Sequence, residues 1–481
     1  MTTATPARPE ATGTAPGDPQ FPTGISLVGS QMRSTNLERD VQVDLQSPYI
    51  GARAVDVLDR VTNALGDLSR TRSWSFTGPY GSGKSTLTNV IDALLGHDQK
   101  RRVEAETVLG ATSGSLAQRL AGNRDALAPK GFLGAVATAR REPLVATLSR
   151  ALHTAAQRRW KSRPPKAVAS ALTACADPAN TAPKDILDAV AALCAQQPVL
   201  LVIDEFGKTL EHLAGHSEFA SAKDDLFLLQ ELAEKSAGPR GLPLFMMTLQ
   251  HMSFMDYASR SSELQTREWA KIQGRFEDIT FVPHLGDAIQ LMRRRLSQAD
   301  VSAPNRALIR AQAEAAESAW REHALNDVDL KAEHFEDLYP LHPLTAVAAP
   351  YLAAQIGQHD RSLAGFLNSD EPNTVRRSLD LFSLDKPQRA STIHLAQLYD
   401  FFLASGRTSL LASTNASKWI EIDARINEAN GLSTSDQDLL RTIGMLNLID
   451  SDGALRATAA MIYFALHEPC DGADPTAFAA L

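Results

Sequence analysis

The stretch that most constrains the fold of this chain runs from Thr77 to Thr86 and reads Thr-Gly-Pro-Tyr-Gly-Ser-Gly-Lys-Ser-Thr. It matches the phosphate-binding pattern G-x-x-x-x-G-K-[ST] at every fixed position. Residues 74–77 before it alternate as a short strand does, and residues 86–95 after it have the spacing of an amphipathic helix. This order predicts an α/β domain in which the helix directs its N-terminal partial positive charge at phosphate.

The residue types of this stretch suit the chemistry of a triphosphate. Glycines let the backbone wrap so that its N–H groups point at phosphate oxygens. Lys84 is expected to reach the β- and γ-phosphates, and the Ser85 hydroxyl is expected to ligate Mg²⁺. The residues predicted to bind ATP are Gly78, Pro79, Tyr80, Gly81, Ser82, Gly83, Lys84, Ser85 and Thr86.

The second strong signal is a continuous apolar run, residues 199–203, which is followed by Asp204 and Glu205. Such a run is typical of a strand buried in a parallel sheet, with its carboxyl end at the active site. Asp204 is predicted to hold Mg²⁺ together with Ser85. Glu205 is predicted to polarise the attacking water as a general base.

Another apolar run, residues 242–251, becomes polar at its end. Some ATPases with a phosphate-binding loop have an extra strand between the strand that carries the loop and the strand that carries the acidic pair. In those proteins this position senses the γ-phosphate. Thr248 and Gln250 are therefore candidate catalytic sensors, with His251 next to them. The alternative is that a polar residue here only caps the strand.

Arg275 precedes a short apolar strand predicted at residues 279–282. A planar guanidinium can straddle charge spread over phosphoryl oxygens, so Arg275 is a candidate arginine finger for the nucleotide of a neighbouring subunit. The alternative is an ion pair with Glu277 or Asp278. Arg267 is the second candidate for the finger.

Arg361 lies near the start of a helical segment in the part of the chain that follows residue 286. An arginine there could bind the γ-phosphate from a lid and report hydrolysis as a domain motion. The alternative is a surface arginine that pairs with Asp360.

Composition and periodicity divide the chain into four parts. Residues 1–24 are rich in Thr, Ala, Pro and Gly and are expected to form a disordered tail. Residues 25–283 are predicted to form the ATPase core, and residues 284–385 a helical lid. Residues 386–481 are predicted to form a helical or winged-helix-like region, with a plain extension of the lid as the alternative. We expect the sequence to be an N-terminal portion of a longer chain.

The net charge of −8 does not mark the chain as a nucleic-acid binder. Its most basic stretch, residues 157–166, contains a tryptophan and could contact phosphate backbones or an acidic partner. The alternative interpretation, a solvated helix end, is the commoner one for such a charge run.

Cysteine usage and hydropathy favour a cytoplasmic protein. The three cysteines are widely spaced and form no C-x-x-C motif, which argues against a disulfide framework and a zinc site. No apolar run reaches the roughly 20 residues that a membrane span needs, and no secretory signal is visible at the N-terminus. We expect no membrane association.

These motifs together resemble an AAA+ ATPase of the broad initiator and STAND-like branch. More narrowly, residues 78–85, 203–208, 269–278 and 341–345, with residues 360–363, look like the large ATPases of bacterial anti-phage defence islands. The resemblance covers residues 48 to 470. It implies a parallel sheet of the additional-strand, catalytic-glutamate type with helices on both faces. It also implies ATP-driven switching in a homo-oligomer, alongside co-encoded effectors such as nucleases, helicases or methyltransferases.

Two other functions fit the same motifs. In one, ATP gates a winged helix on duplex DNA, as in an initiator or loader of the origin-recognition type. In the other, a signalling ATPase oligomerises when it senses a ligand. The sequence has no LSGGQ-like signature, no helicase motif set after the acidic pair and no nuclease carboxylate-lysine cluster. These absences disfavour an ABC-type ATPase and a chain that itself unwinds or cuts DNA.

Overall fold

A computed structural model describes residues 18–28, 37–38, 50–79, 82–161, 163–215, 220–257, 269–281, 285–323, 325, 329–356, 363–404, 416–429, 431–449 and 455–471. The chain divides into two compact units. One joins Met1–Arg33 to Pro283–Leu481, and the other is Ser34–Val282. In the described parts of the chain, no helix combines the length and the apolar character needed to cross a bilayer.

The described chain begins with two short strands, β1 (Phe21–Pro22) and β2 (Ser26–Leu27). The first pairs in parallel with residues 383–384, and the second pairs antiparallel with residues 296–297. The Phe21 ring is fully buried in the core of its unit. Residues 18–24 therefore differ from the disordered tail expected for residues 1–24, because two-residue strands leave no periodicity in the sequence.

The unit Ser34–Val282 is built on a five-stranded parallel sheet with the strand order β4–β5–β6–β3–β7. Its strands are β3 (Ser73–Thr77), β4 (Leu133–Thr138), β5 (Val199–Asp204), β6 (Leu244–Gln250) and β7 (Glu277–Thr280). Strand β6 lies between β3, which leads into the phosphate-binding loop, and β5, which ends at Asp204. The predicted fold with an additional strand is therefore confirmed by the order of the strands.

Both faces of this sheet are covered. Along β5, Val199, Leu201 and Ile203 join one apolar cluster, and Leu200 and Val202 join another on the opposite face. A strand buried on both faces reads as a continuous apolar run, because neither set of alternating side chains meets water. This burial explains the pattern at residues 199–203.

Ten helices of this unit are described. They are α1 (Ala52–Gly66), α2 (Lys84–Leu95), α3 (Gln99–Thr112), α4 (Gly114–Leu127), α5 (Leu144–Trp160), α6 (Lys166–Ala174), α7 (Pro183–Cys194), α8 (Gly207–Gly215), α9 (Ala220–Ser236) and α10 (Phe254–Tyr257). Buried residues of α1 to α4 line one face of the sheet, and those of α5 to α10 line the other. Residues 269–273 are also helical.

The other unit is mainly helical. Its helices are α11 (Leu285–Arg295), α12 (Ala303–Glu322), α13 (Ala332–Leu338), α14 (Pro343–Ile356), α15 (Leu363–Asn368), α16 (Val375–Phe382), α17 (Leu395–Tyr399), α18 (Ala416–Glu428), α19 (Thr434–Ile449) and α20 (Ala459–Leu466). Its later strands are β8 (Leu296–Ser297) and β9 (Ser383–Leu384). One apolar core extends from Phe21 to Ala465 and crosses the boundary predicted after residue 385. Residues 450–454, which follow α19, lie outside the described residues, so the winged-helix-like alternative for residues 386–481 stays a prediction.

A buried carboxylate, Glu468, links three segments of the helical unit. It accepts hydrogen bonds from the Thr392 backbone N–H at 2.7 Å and from Gln312 Nε2 at 2.8 Å, and it lies 3.4 Å from His394 Nε2. Burial alone would raise the pKa of Glu468, but its hydrogen bond with His394 and the charge of that imidazolium outweigh burial and lower it. Burial likewise opposes the His394 charge, and Glu468 outweighs it and raises the His394 pKa.

We expect Glu468→Gln to destabilise the protein by about 3 kcal/mol, because it leaves the partly buried imidazolium of His394 without its counter-charge. The lowered Glu468 pKa contributes stability that is lost as pH falls below its usual value of 4.5. The raised His394 pKa contributes stability that is lost as pH rises above its usual value of 6.5. The difference between variant and wild type should therefore be largest between those two values in thermal unfolding. The exposed control Glu428→Gln should change little, and an effect independent of pH would contradict the ion pair.

Candidate nucleotide-binding site

The phosphate-binding loop leaves the sheet at the end of β3 and enters helix α2. Gly83 precedes the helix with a φ of 88°, a left-handed conformation that glycine adopts without strain. At Gly78, a Cβ atom would lie 2.3 Å from the Phe281 carbonyl oxygen, so only glycine fits there. Tyr80 and Gly81 lie outside the described residues. Of the other seven predicted nucleotide-binding residues, four lie in the turn after β3 and three begin α2: Gly78, Pro79, Ser82 and Gly83, then Lys84, Ser85 and Thr86.

Lys84 is the first residue of α2 and is buried. Its Nζ donates to the carbonyl oxygens of Gly78 at 2.5 Å and Pro79 at 2.8 Å, and to Ser82 Oγ at 3.3 Å. Burial lowers the pKa of Lys84 to about 8, although the nearby charge of Asp204 opposes this shift. Carbonyls carry only partial charge, so the anionic oxygens of a phosphate would be stronger partners for this ammonium.

The Ser85 hydroxyl and the Asp204 carboxylate lie beside each other. Ser85 Oγ is 3.4 Å from each carboxylate oxygen, although the two residues are 119 positions apart in the sequence. Asp204 is only 5% exposed, and burial raises its pKa to about 6 against the opposing hydrogen bond from the Glu205 backbone N–H. A hydroxyl and a carboxylate are hard oxygen ligands of the kind that Mg²⁺ takes from proteins. The residues present therefore fit this cation.

Glu205 follows the last residue of β5 and has a φ of 52°. A bulky residue in the left-handed region is uncommon, and such strained backbone clusters at functional sites. Its carboxylate forms an ion pair with Lys208 in the first turn of α8. Sequence analysis missed Lys208, although a lysine three residues after a glutamate is a helix-compatible spacing for an ion pair.

Thr248 and Gln250 lie on β6, between the strands that carry the loop and the acidic pair. Thr248 pairs with Ser75 of β3 and with Ile203 of β5. Gln250 donates from Nε2 to Ser75 Oγ. Thr248 Oγ1 and Gln250 Oε1 are buried and have no hydrogen-bond partner among the described residues. Each such atom costs about 1–3 kcal/mol, so two of them beside a candidate site favour a functional explanation.

Arg275 is engaged within its own chain. Its Nε donates to Glu234 Oε1 of α9 at 2.8 Å, and its Nη1 donates to the Lys271 carbonyl oxygen at 2.6 Å. The acids considered for it from the sequence have other partners: Glu277 bonds to Trp74 Nε1 and pairs with Arg60, and Asp278 accepts from Thr77. Arg361 and Arg267 lie outside the described residues. The roles of these arginines stay predictions.

Comparison with known proteins adds two weak structural likenesses. The ORC2 protein of Aeropyrum pernix in its ADP form is similar with a TM-score of 0.35 and 12% sequence identity, over 87% of this chain and 85% of that one. The ADPNP–ADP complexes of the same protein give a TM-score of 0.30 and 15% identity, over 70% of this chain and 80% of that one. No protein-family model matches the chain, and no curated protein matches it. The class defined here, a P-loop NTPase fold with an additional strand, therefore rests on the strand order and the loop of this chain.

We expect Asp204→Asn to stabilise the protein in the absence of nucleotide. A raised carboxyl pKa means that the folded state binds the proton more tightly, so stability falls as pH rises from the usual value of 3.8 to about 6. The rise of the Asp204 pKa from 3.8 to about 6 corresponds to about 3 kcal/mol, a cost that the neutral amide avoids. Thermal unfolding at pH 8 should show a higher midpoint for the variant, and the gain should vanish near pH 4. The exposed control Asp188→Asn should show neither effect, and a destabilised Asp204→Asn protein at pH 8 would contradict this view of the site.

Proposed function

We propose that this chain binds ATP with Mg²⁺ and hydrolyses it, as an AAA+-like molecular switch. The observation that carries the proposal is the contact of the Ser85 hydroxyl with the buried Asp204 carboxylate, next to the Lys84 ammonium. The contact joins the N-terminus of α2 to the carboxyl end of β5, where parallel sheets of this kind bind their ligands.

Lys84 and the start of α2 would hold the phosphates. The Lys84 ammonium would exchange the Gly78 and Pro79 carbonyl oxygens for phosphate oxygens, which are charged and therefore better acceptors. The backbone N–H groups at the N-terminus of α2 have no partner within the helix, and the helix dipole favours an anion there. Both effects act on the phosphates of any nucleoside triphosphate, so the preference for adenine rests on the family resemblance alone.

Ser85 and Asp204 would hold the divalent cation. When bound, Mg²⁺ supplies positive charge that offsets the charge developing on the phosphate oxygens. Glu205 would then accept a proton from the attacking water at its carboxylate, as a general base. Thr248 and Gln250, with their unpaired buried oxygens, would orient that water or contact the γ-phosphate from β6.

The finer parts of the proposal rest on the family resemblance. Arg275 would act in trans within a homo-oligomer, and Arg361 would sense the γ-phosphate from the helical lid. In this scheme the chain is the ATPase component of a bacterial phage-defence system in the cytoplasm and acts with co-encoded effectors. The second candidate is an ATP-gated DNA-binding initiator or loader of the origin-recognition type.

Lys84→Ala and Glu205→Gln should separate nucleotide binding from hydrolysis. We expect Lys84→Ala to lose ATP binding, because the removed ammonium is the main cation of the loop. Glu205→Gln should bind ATP normally. Its rate of hydrolysis should fall by a factor of at least about 100, as expected when a general base is removed. Fluorescent-nucleotide titration and phosphate release measure the two steps.

A matched control is Glu211→Gln, which changes an exposed carboxylate of α8 without touching the loop. It should leave both steps unchanged. Wild-type turnover in Glu205→Gln would remove that residue from catalysis, and wild-type ATP affinity in Lys84→Ala would reject the site itself.

Arg275 and Glu234 form a pair whose two halves distinguish a finger from a structural salt bridge. If Arg275 acts in trans, Arg275→Ala should bind ATP normally and lose turnover, and mixing it with Lys84→Ala protein should restore part of the activity. Glu234→Ala should keep or raise turnover, because it frees the guanidinium. Equal losses of activity and thermal stability in the two single variants, with no rescue on mixing, would assign Arg275 a structural role.

A further inference from the structure

The basic stretch at residues 157–166 does not stand alone in the fold. Residues 97–102 and Lys130 lie close to it, and these three segments together hold nine lysines and arginines. Their one carboxylate, Asp98, accepts hydrogen bonds from the backbone N–H groups of Lys100 and Arg101 at the start of α3. This local charge is opposite to the net charge of −8 of the whole chain.

Backbone and side-chain contacts bring the three segments together. Gly96 pairs with Phe132 at the amino end of β4. Gln197 accepts from Arg159 Nε at 2.6 Å and donates to the Lys130 carbonyl oxygen at 3.2 Å. The end of α5 therefore lies against the loop that contains Lys130 and against the segment before α3.

Below this surface lies the largely buried carboxylate of Asp92 in α2. Arg101 Nη1 is 3.4 Å from Asp92 Oδ2, and the charge of Arg158 also acts on Asp92. Burial lowers the Arg158 pKa, and the repulsion from Arg101 lowers it further, against the attraction of Asp92. Arg158 also donates to the Glu38 backbone carbonyl oxygen at 3.3 Å. The negative charge of Asp92 thus stabilises two guanidinium groups that repel each other, those of Arg101 and Arg158.

Exposed lysines surround this centre. Lys100, Lys130 and Lys161 are all exposed, and Lys161 follows the last residue of α5. We define the basic surface as Lys100, Arg101, Lys130, Arg158, Arg159 and Lys161. We propose that it binds the phosphate backbone of duplex DNA without reading its sequence.

The scarcity of exposed apolar residues on this surface favours a nucleic acid over an acidic protein. Of the large apolar residues that the described chain exposes, only Val103 borders these three segments, and one residue at the edge does not make the apolar core that protein interfaces have. Contacts to a phosphate backbone need only cations and hydrogen-bond donors. Trp160 is partly buried and packs against the apolar core, which limits the ring surface on which an unpaired base could stack. The surface therefore fits a duplex better than a single strand.

The basic surface is separate from the candidate nucleotide site. It lies at the amino end of β4, where Phe132 pairs with Gly96, whereas Asp204 pairs with Thr138 at the carboxyl end. Six residues of extended strand separate the ends by about 20 Å. The basic surface contains none of the residues proposed for the ATPase chemistry.

The test is the binding of a short fluorescein-labelled DNA duplex to the full chain, followed by anisotropy over a series of salt concentrations. We expect measurable affinity at low salt that falls steeply as salt rises. The affinity of the triple variant Lys100→Ala, Lys130→Ala and Lys161→Ala for the duplex should be lower by a factor of at least about 10. The slope of its log affinity against log salt concentration should be smaller by about one per lysine removed.

The matched control removes three exposed lysines elsewhere, with Lys184→Ala, Lys235→Ala and Lys386→Ala, and so changes the net charge equally. It should keep the wild-type affinity. No DNA binding at low salt, an equal loss in the control, or preferential capture of an acidic peptide would overturn the proposal. The Lys84→Ala protein should still bind the duplex, and the triple-lysine variant should keep wild-type ATP turnover. These two variants therefore distinguish a failure of the DNA-binding proposal from a failure of the ATPase proposal.

Discussion

The main energetic constraint on the sheet-containing unit is the burial of an ionisable carboxylate, Asp204, at the end of β5. Removing a carboxylate from water is costly unless charges or donors surround it. Here those partners are the Ser85 hydroxyl, the Glu205 backbone N–H and the Lys84 ammonium. They balance the cost only in part, since the Asp204 pKa remains raised to about 6. Burial of the apolar layers on both faces of the sheet therefore offsets the free-energy cost of burying the Asp204 carboxylate.

The same edge of the sheet concentrates further unfavourable features. Glu205 has a left-handed backbone, and Thr248 and Gln250 each bury an oxygen that finds no partner among the described residues. Away from that edge, the middle of β5 is wholly apolar and packs on both faces. Strained backbone and buried polar atoms without partners destabilise a fold, and they are therefore found mainly at functional sites. All three residues lie at or near the carboxyl ends of β5 and β6.

Sequence patterns predicted the central strands well because burial on both faces leaves long apolar runs. They did not predict α3 and α4, whose buried apolar residues are few: only Ala105 and Leu109 in α3. Nor could they predict that Arg275 forms an ion pair with Glu234, or that residues 97–102 lie next to Arg158. Those contacts join segments far apart in the chain, and tertiary packing decides them. The loop and the acidic pair could be predicted because their chemistry requires fixed local spacings.

Helix α2 connects the two surfaces on which function is proposed. Its first residues, Lys84 and Ser85, belong to the phosphate-binding loop, and Asp92 in its last turn anchors Arg101 of the basic surface. Backbone hydrogen bonds between residues four apart run along all 12 residues of α2, so its two ends belong to one continuous element. If phosphate binding shifts α2, it moves Asp92 and alters the spacing of the guanidinium groups. If nucleotide changes the affinity for DNA by some factor in this way, thermodynamic linkage requires DNA to change the affinity for nucleotide by the same factor.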